Sequence, residues 1–210
     1  MQKLPKKVND WENSKVQVFW GEIAPCDHVV QIYENDDVFL NTLENFAASG
    51  IDATESVIII GTEIHLSELN KRLIKRGYNL EELISSNRYF PLNAQDMLAQ
   101  FMVDGWPDEN LFFECINSVI QKATVNGQKI RAFGEMVAVL WAEGKNGATV
   151  RLENLWNQLH AKKNFALYCA YPKVGFTQNI HDSAKNICNT HSKIIDGQMR
   201  PATHIYYRNS

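Results

Sequence analysis

The sequence has no window near the roughly 20 apolar residues that a membrane helix requires. Its start, Met1-Gln-Lys-Leu-Pro-Lys-Lys7, has no apolar run behind it that would make a signal peptide. Neither sign of charge dominates, since 21 Lys and Arg face 24 Asp and Glu for a net charge of −3. The basic residues are scattered, so no nucleic-acid or membrane-surface partner is expected. The four cysteines, Cys26, Cys115, Cys169 and Cys188, form no C-x-x-C pair. Cys115 and Cys169 fall in apolar periodic segments, which reads as reduced and buried. Papain-like and G-x-S-x-G contexts are absent, as are H-x-x-x-H and clustered Cys/His, so neither a nucleophile nor a metal is expected. These absences leave a soluble, cytoplasmic protein as the expectation.

What is present is a chain of 210 residues, 45% of them hydrophobic, enough for one well-buried core. Residues 1–27 read as an N-terminal extension, with Val16–Trp20 as an edge strand or an arm. Val29–Tyr33 reads as a strand and Glu34–Asp37 as a tight loop with a ready N-cap. Phe39, Leu43, Phe46 and Ala47 recur at helical spacing until Gly50, read as a stop. Ser56–Gly61 is β-branched and apolar on both faces, as a central parallel strand should be. A helix with Leu66, Leu69 and Leu73 follows and ends at Gly77. Tyr89–Leu92 is a shorter strand with Asn93 at its end, and Pro107 is expected to open a later helix. Lys129–Phe133 is a strand, with Met136, Val137, Leu140 and Trp141 on the next helical face. Leu152, Leu155, Trp156 and Leu159 mark another amphipathic helix. Phe165–Tyr171 is a further strand, Ile180–Cys188 a closing helix, and His204–Arg208 a late edge strand. Strand and helix alternate, so the expected fold is α/β, a mostly parallel sheet with helices on both faces in a single domain.

In such a sheet, ligands sit beyond the carboxyl ends of the strands. Tyr33, Glu34, Glu63, His65, Asn93, Glu135 and Tyr171 all fall there, and with Trp141 they are the candidate ligand-binding residues; no catalytic residue is assigned. A crevice holding a few polar groups among Phe133, Met136 and Trp141 would suit a small, partly apolar ligand. For Glu63 and Glu135 the plain alternative is a carboxylate favouring a helix start, and it is preferred for Glu63. Glu63-x-His65 with Glu135 resembles a metal set only by spacing. Cys188-x-x-His191 reads as packing along an apolar stripe. His28 begins its strand and lies at the opposite edge. Trp106, in the turn Asp104–Asp108, is a candidate for an exposed partner contact. Tyr206-Tyr207-Arg208 could add a strand to a second copy, making a homo-oligomer, or pack on its own sheet.

Phe101-Met-Val-Asp-Gly-Trp-Pro-Asp108, Arg131-Ala-Phe-Gly-Glu-Met-Val-Ala-Val-Leu-Trp-Ala-Glu-Gly144, Leu152-Glu-Asn-Leu-Trp-Asn157 and Cys169-Ala-Tyr-Pro172 resemble the MEDS family, the methanogen/methylotroph, DcmR sensory domain. Ile187-Cys-Asn-Thr-His-Ser192 is similar to its closing helix, so the resemblance runs over residues 28–192, leaving 193–210 as a C-terminal extension. It implies a RecA/KaiC-like fold and a role in signal sensing, often attached to kinase or DNA-binding modules in transcription regulation, with small hydrocarbon derivatives proposed as ligands. KaiC-like ATPases place a glycine-rich phosphate loop after the first core strand. Here Tyr33-Glu-Asn-Asp-Asp37 has no glycine, no lysine and three carboxylates, so ATP hydrolysis and a nucleotide cofactor are not expected. Thr62-Glu63 looks like the KaiC Thr-Glu-Glu, with Ile64 in place of the second acid. No room is read for an output module outside residues 28–192, so a signalling protein partner is expected. A divergent nucleotide-binding protein and an assembly protein without a ligand remain the alternatives.

Overall fold

The computed structural model describes residues 27–173, 191, 193–197 and 204–207. The expected elements at Val16–Trp20 and Ile180–Cys188 lie outside them. Among the described residues, seven strands form one sheet. Along it stand β3 (Tyr89–Asn93), β2 (Ser56–Gly61), β6 (Ile130–Gly134), β7 (Ala166–Pro172), β1 (His28–Tyr33), β8 (Lys193–Gly197) and β9 (His204–Tyr207). The first six are parallel and β9 runs antiparallel to β8. This is the expected α/β architecture, consistent with a RecA/KaiC-like fold. The late strand pairs within its own sheet, which now extends past residue 192. β4 (Met102–Val103) and β5 (Trp106–Pro107) form a separate hairpin, turned by Asp104 and Gly105 at φ of 50° and 82°.

The described helices are α1 (Asp36–Asp52), α2 (Glu63–Lys75), α3 (Leu80–Ser85), α4 (Ala94–Ala99), α5 (Glu109–Ala123), α6 (Met136–Ala142) and α7 (Asn146–Lys162). Side chains alternate across a strand, and the core divides accordingly. Val29, Tyr33, Val57, Ile59, Phe133 and Tyr168 face α1 to α3. Val30, Ile58, Ile60, Ala132, Leu167, Cys169 and Tyr171 face α4 to α7. The chain runs from β1 through β2 to β3 with helices on the first face, then returns through β6 to β7 with helices on the second. Crossovers of one hand require that change of face when the direction reverses. β2 and β6 therefore lead away from each other, and their carboxyl ends flank the switch point.

Two helix ends differ from expectation. Gly50 does not stop α1, which runs on to Asp52. Its lack of a side chain serves packing instead: a Cβ there would lie 2.6 Å from the Arg131 side chain. Arg131 is buried, pairs with Glu55, donates to the Phe46 carbonyl at 3.0 Å and lies over the Phe46 ring. Pro107 belongs to β5, and Asp108 caps α5 by accepting the Leu111 N–H at 2.9 Å. Aspartate supplies an acceptor to the open first turn, which proline cannot. The short α3 had no counterpart in the periodicity because six residues hold too few apolar repeats.

Candidate functional site

Glu135 stands at the switch point, one residue beyond β6, and is 5% exposed. Its backbone N–H continues the pairing with β2 by donating to Ile60 O at 2.8 Å. Its side chain then turns across the gap. Oε2 accepts the Thr62 N–H at 2.8 Å, and Oε1 meets His65 Nδ1 at 2.6 Å. Glu135 precedes α6 but makes no side-chain cap to it. The carboxylate does not cap its own helix by hydrogen bond but serves the opening of α2. Gly61 lies against the carboxylate, where a Cβ would sit 3.4 Å from Oε2 and from Leu66, a close but ordinary contact.

Aromatic rings close the other side. Tyr33 stacks on Phe39 at 4.7 Å between centroids, and Phe39 meets the His65 ring edge-on at 4.9 Å and Phe133 at 5.6 Å. Burial is the largest single influence on His65 and lowers its pKa. The hydrogen bond and charge of Glu135, with the charge of Asp36 at 4.0 Å from Nε2, outweigh it and raise the pKa above the ordinary value. Burial first, then the charges of Glu135 and Asp36, raises the Tyr33 hydroxyl. Both Glu135 oxygens are engaged, so the polar groups this edge leaves toward solvent are the His65 ring, whose side chain is 12% exposed, and the exposed Asp36 beside it.

The other candidates separate by strand parity and by local duty. Glu63 is exposed in the first turn of α2. Asn93 pairs in register with Gly61, but its side chain caps α4 through the Gln95 and Asp96 N–H groups. Glu34 reaches Lys173 Nζ at 2.8 Å beyond the end of β7. Tyr171 and Trp141 sit on the opposite face, with ring centroids 6.4 Å apart. The Tyr171 hydroxyl donates to Glu153 there, away from Glu135. Trp106 is 56% exposed on its hairpin and lies over Gly147 at the start of α7.

Tyr171 leads to a second constellation, which includes His28 and His191, two residues set aside on sequence alone. His28 on β1, Cys169 on β7, Glu153 on α7 and His191 ahead of β8 are all buried, and one donor atom from each lies within 4.8 Å of the others. His28 Nε2 is 3.5 Å from Cys169 Sγ and 4.0 Å from Glu153 Oε2, and His191 Nε2 is 3.6 Å from that same oxygen. The two imidazole centroids are 4.0 Å apart. His28 Nδ1 faces Asn157 Oδ1 at 2.8 Å. Burial, then the charge of His191, takes the His28 pKa down to about 3 against the opposing pull of Glu153 and Asn157. Burial pushes the Glu153 carboxyl up and the Cys169 thiol well up. On α7, Glu153, Asn157 and His160 recur at i, i+4 and i+7 beside the apolar stripe, a spacing that a solvated face shares. The Cys188-x-x-His191 spacing did not point to this cluster, since parallel pairing of distant segments brings His28 and His191 together.

The fold is an α/β domain built on a mostly parallel sheet, consistent with a RecA/KaiC-like fold, with a carboxylate at its switch point. The family description "MEDS: MEthanogen/methylotroph, DcmR Sensory domain" matches residues 27–192. The chain belongs to the MEDS family, which implies a signal-sensing role. Among solved structures it is similar to a Pyrococcus horikoshii OT3 protein from a structural study, with a TM-score of 0.58, 9% sequence identity and 88% of each chain covered. That likeness concerns the fold. No curated protein matches the sequence. None of the helices among the described residues is long and apolar enough to cross a membrane.

Proposed function

We propose that this protein is a non-catalytic sensory domain that takes its signal at the carboxyl edge of β2 and β6. A small, partly apolar molecule with a polar head would bind there and pass the signal to a partner protein or a second copy. The observation that carries the reading is the His65–Glu135 pair at the topological switch point. Glu135 acts as a positioning residue, holding His65 and the first turn of α2, while His65 and the Tyr33 hydroxyl supply the polar contacts beside Phe39 and Phe133. A ligand taken by His65 has a direct lever on α2, because Thr62 and His65 hang on the same carboxylate. The β1–α1 turn supports a non-nucleotide ligand: only Glu34 and Asn35 separate strand from helix, and Asn35 is spent on the Val38 N–H. Two residues with an acidic first turn form no cradle of N–H groups for phosphates.

The test is thermal stability in the presence of short-chain alcohols, aldehydes, carboxylates, amines and halocarbons, with ATP/Mg²⁺ as the contrasting probe. Saturable stabilisation by one of the hydrocarbon derivatives is expected, and His65→Ala should lose it while remaining folded. Saturable stabilisation by ATP/Mg²⁺ that Glu135→Gln abolishes would overturn the reading in favour of nucleotide binding. No response from any probe would favour an assembly role.

A further inference from the structure

We infer that His28, Glu153, Cys169 and His191 form a buried, four-coordinate site for a divalent zinc-type ion, tying α7 and the segment ahead of β8 to the sheet. A tetrahedral zinc with nitrogen and oxygen ligands near 2.0–2.2 Å and a thiolate near 2.3 Å places its ligand atoms roughly 3.3–3.8 Å apart. Three of the six separations among the Nε2, Sγ and Oε2 atoms, 3.5, 3.6 and 4.0 Å, lie at or just outside that spacing, and all six fall within 4.8 Å, so the side chains would draw in slightly around the ion. Such a set is hard to account for as packing. Glu153 Oε2 is buried and accepts no hydrogen bond, and it points at the two Nε2 atoms rather than at any N–H group of the sheet. In an apolar layer such an oxygen costs free energy unless something electropositive meets it.

The groups behind the ligands are those a metal site needs. Asn157 Oδ1 can only accept, so His28 carries its proton on Nδ1 and directs the Nε2 lone pair into the cluster. The Tyr171 hydroxyl donates to the far oxygen of Glu153, leaving Oε2 for the ion. Charge also closes: a thiolate and a carboxylate neutralise a divalent cation, and both imidazoles bind uncharged. On binding, Cys169 releases its thiol proton and Glu153 any proton it holds, so uptake of the ion is expected to release protons. The ligand chemistry selects the ion. Two imidazoles, a thiolate and a carboxylate suit zinc, whereas calcium and magnesium require oxygen shells. All four residues are buried, which fits a closed structural site rather than one with a position kept open for substrate.

The inference is independent of the switch-point reading, being on the other face of the sheet, and its test reads metal rather than signalling. The full chain is purified without metal-affinity resin, its metal content measured, and the chelated chain titrated with Zn²⁺ and with Co²⁺. The expected results are about one zinc per chain, a melting temperature that rises on Zn²⁺ addition, and a Co²⁺ form with tetrahedral visible bands and a thiolate charge-transfer band. Cys169→Ser should lose that charge-transfer band, and Asn157→Ala, which removes no ligand, should weaken Zn²⁺ binding by roughly 10–100-fold. A chain that takes up neither Zn²⁺ nor Co²⁺ would overturn the site, as would a Co²⁺ spectrum indifferent to Cys169→Ser. If Cys169→Ser does not fold by circular dichroism, Asn157→Ala decides, and an unchanged Zn²⁺ affinity there overturns the site.

Discussion

His65 Nδ1 and Glu135 Oε1 meet at 2.6 Å across the gap where β2 and β6 part company. The residues are 70 positions apart in the chain, and their contact joins the end of one strand to the first turn of a helix that follows another. Oε2 of the same carboxylate holds Thr62 N–H, so one side chain sets both the entry of α2 and the orientation of its histidine.

Removing that carboxylate should be costly. Glu135→Ala leaves a half-buried backbone donor and an imidazole without their acceptor, and a loss of about 2–4 kcal/mol is expected. Glu135→Gln keeps one acceptor oxygen and should lose less. Urea unfolding of the two variants beside the native chain measures both. Glu63→Ala, on the exposed side of the same helix turn, should stay within about 0.5 kcal/mol of native. A Glu63 effect as large as that of Glu135 would contradict the division of roles drawn between them.

The pair also sets a pH dependence. His65 has a folded-state pKa raised above its ordinary 6.5, so the folded form binds the proton more tightly than the unfolded chain. Its stabilising contribution is fully present below the unfolded value and is lost as pH rises through the folded one. The stability difference between the native chain and His65→Gln is therefore expected to shrink as pH rises above 6.5. A difference that grows over that interval would refute the assignment. Proton titration of the His65 ring by NMR gives the folded value directly.

Two glycines that meet side chains closely should behave differently. Gly50→Ala drives a Cβ to within 2.6 Å of Arg131, which is locked by Glu55 and the Phe46 carbonyl, and to 2.7 Å of buried Val57. Overpacking of about 1–3 kcal/mol is expected. At Gly147 the new Cβ meets the tip of the Trp106 ring at 2.8 Å, but that ring stands on an exposed hairpin and can swing aside. The helical preference for alanine offsets the shift, so Gly147→Ala should remain within about 0.5 kcal/mol of native. Thermal denaturation separates the two cases.

On the opposite face, Tyr171→Phe removes the hydroxyl that donates to Glu153. The Glu153 oxygen then loses its donor in a fully buried layer, at an expected cost of about 1–3 kcal/mol. Chemical unfolding in the presence of a chelator reads this hydrogen bond apart from any ion.

Local pattern was enough for much of the fold. β-branched runs such as Val57–Ile60 declare buried parallel strands because both of their faces must be apolar. The stripe Leu152, Leu155, Trp156 and Leu159 declares a helix by its period. Placing Glu135 at a strand's carboxyl end needed nothing more. Other local signs carried two meanings: Gly50 could end a helix or admit a neighbour, and only the path of Arg131 shows that it does the second. Pro107 could open a helix or close a hairpin, and the pairing of Trp106–Pro107 with Met102–Val103 decides for the hairpin.

Which candidates share a site lay beyond local pattern. Tyr33 and Tyr171 both stand near strand ends, yet β1 and β7 pair with Ile32 beside Tyr171. That register sends the two hydroxyls to opposite faces, one toward Glu135 and the other toward Glu153. The sequence by itself determined the alternation of elements, the apolar faces and the acid beyond β6, because each depends on neighbours a few residues away. The tertiary structure alone decided that Glu135 holds His65 and Thr62, and that His28, Glu153, Cys169 and His191 converge. Those contacts depend on strand order and register, which arise from pairings such as Val29 with Lys193, 164 positions apart, where no sequence period reaches.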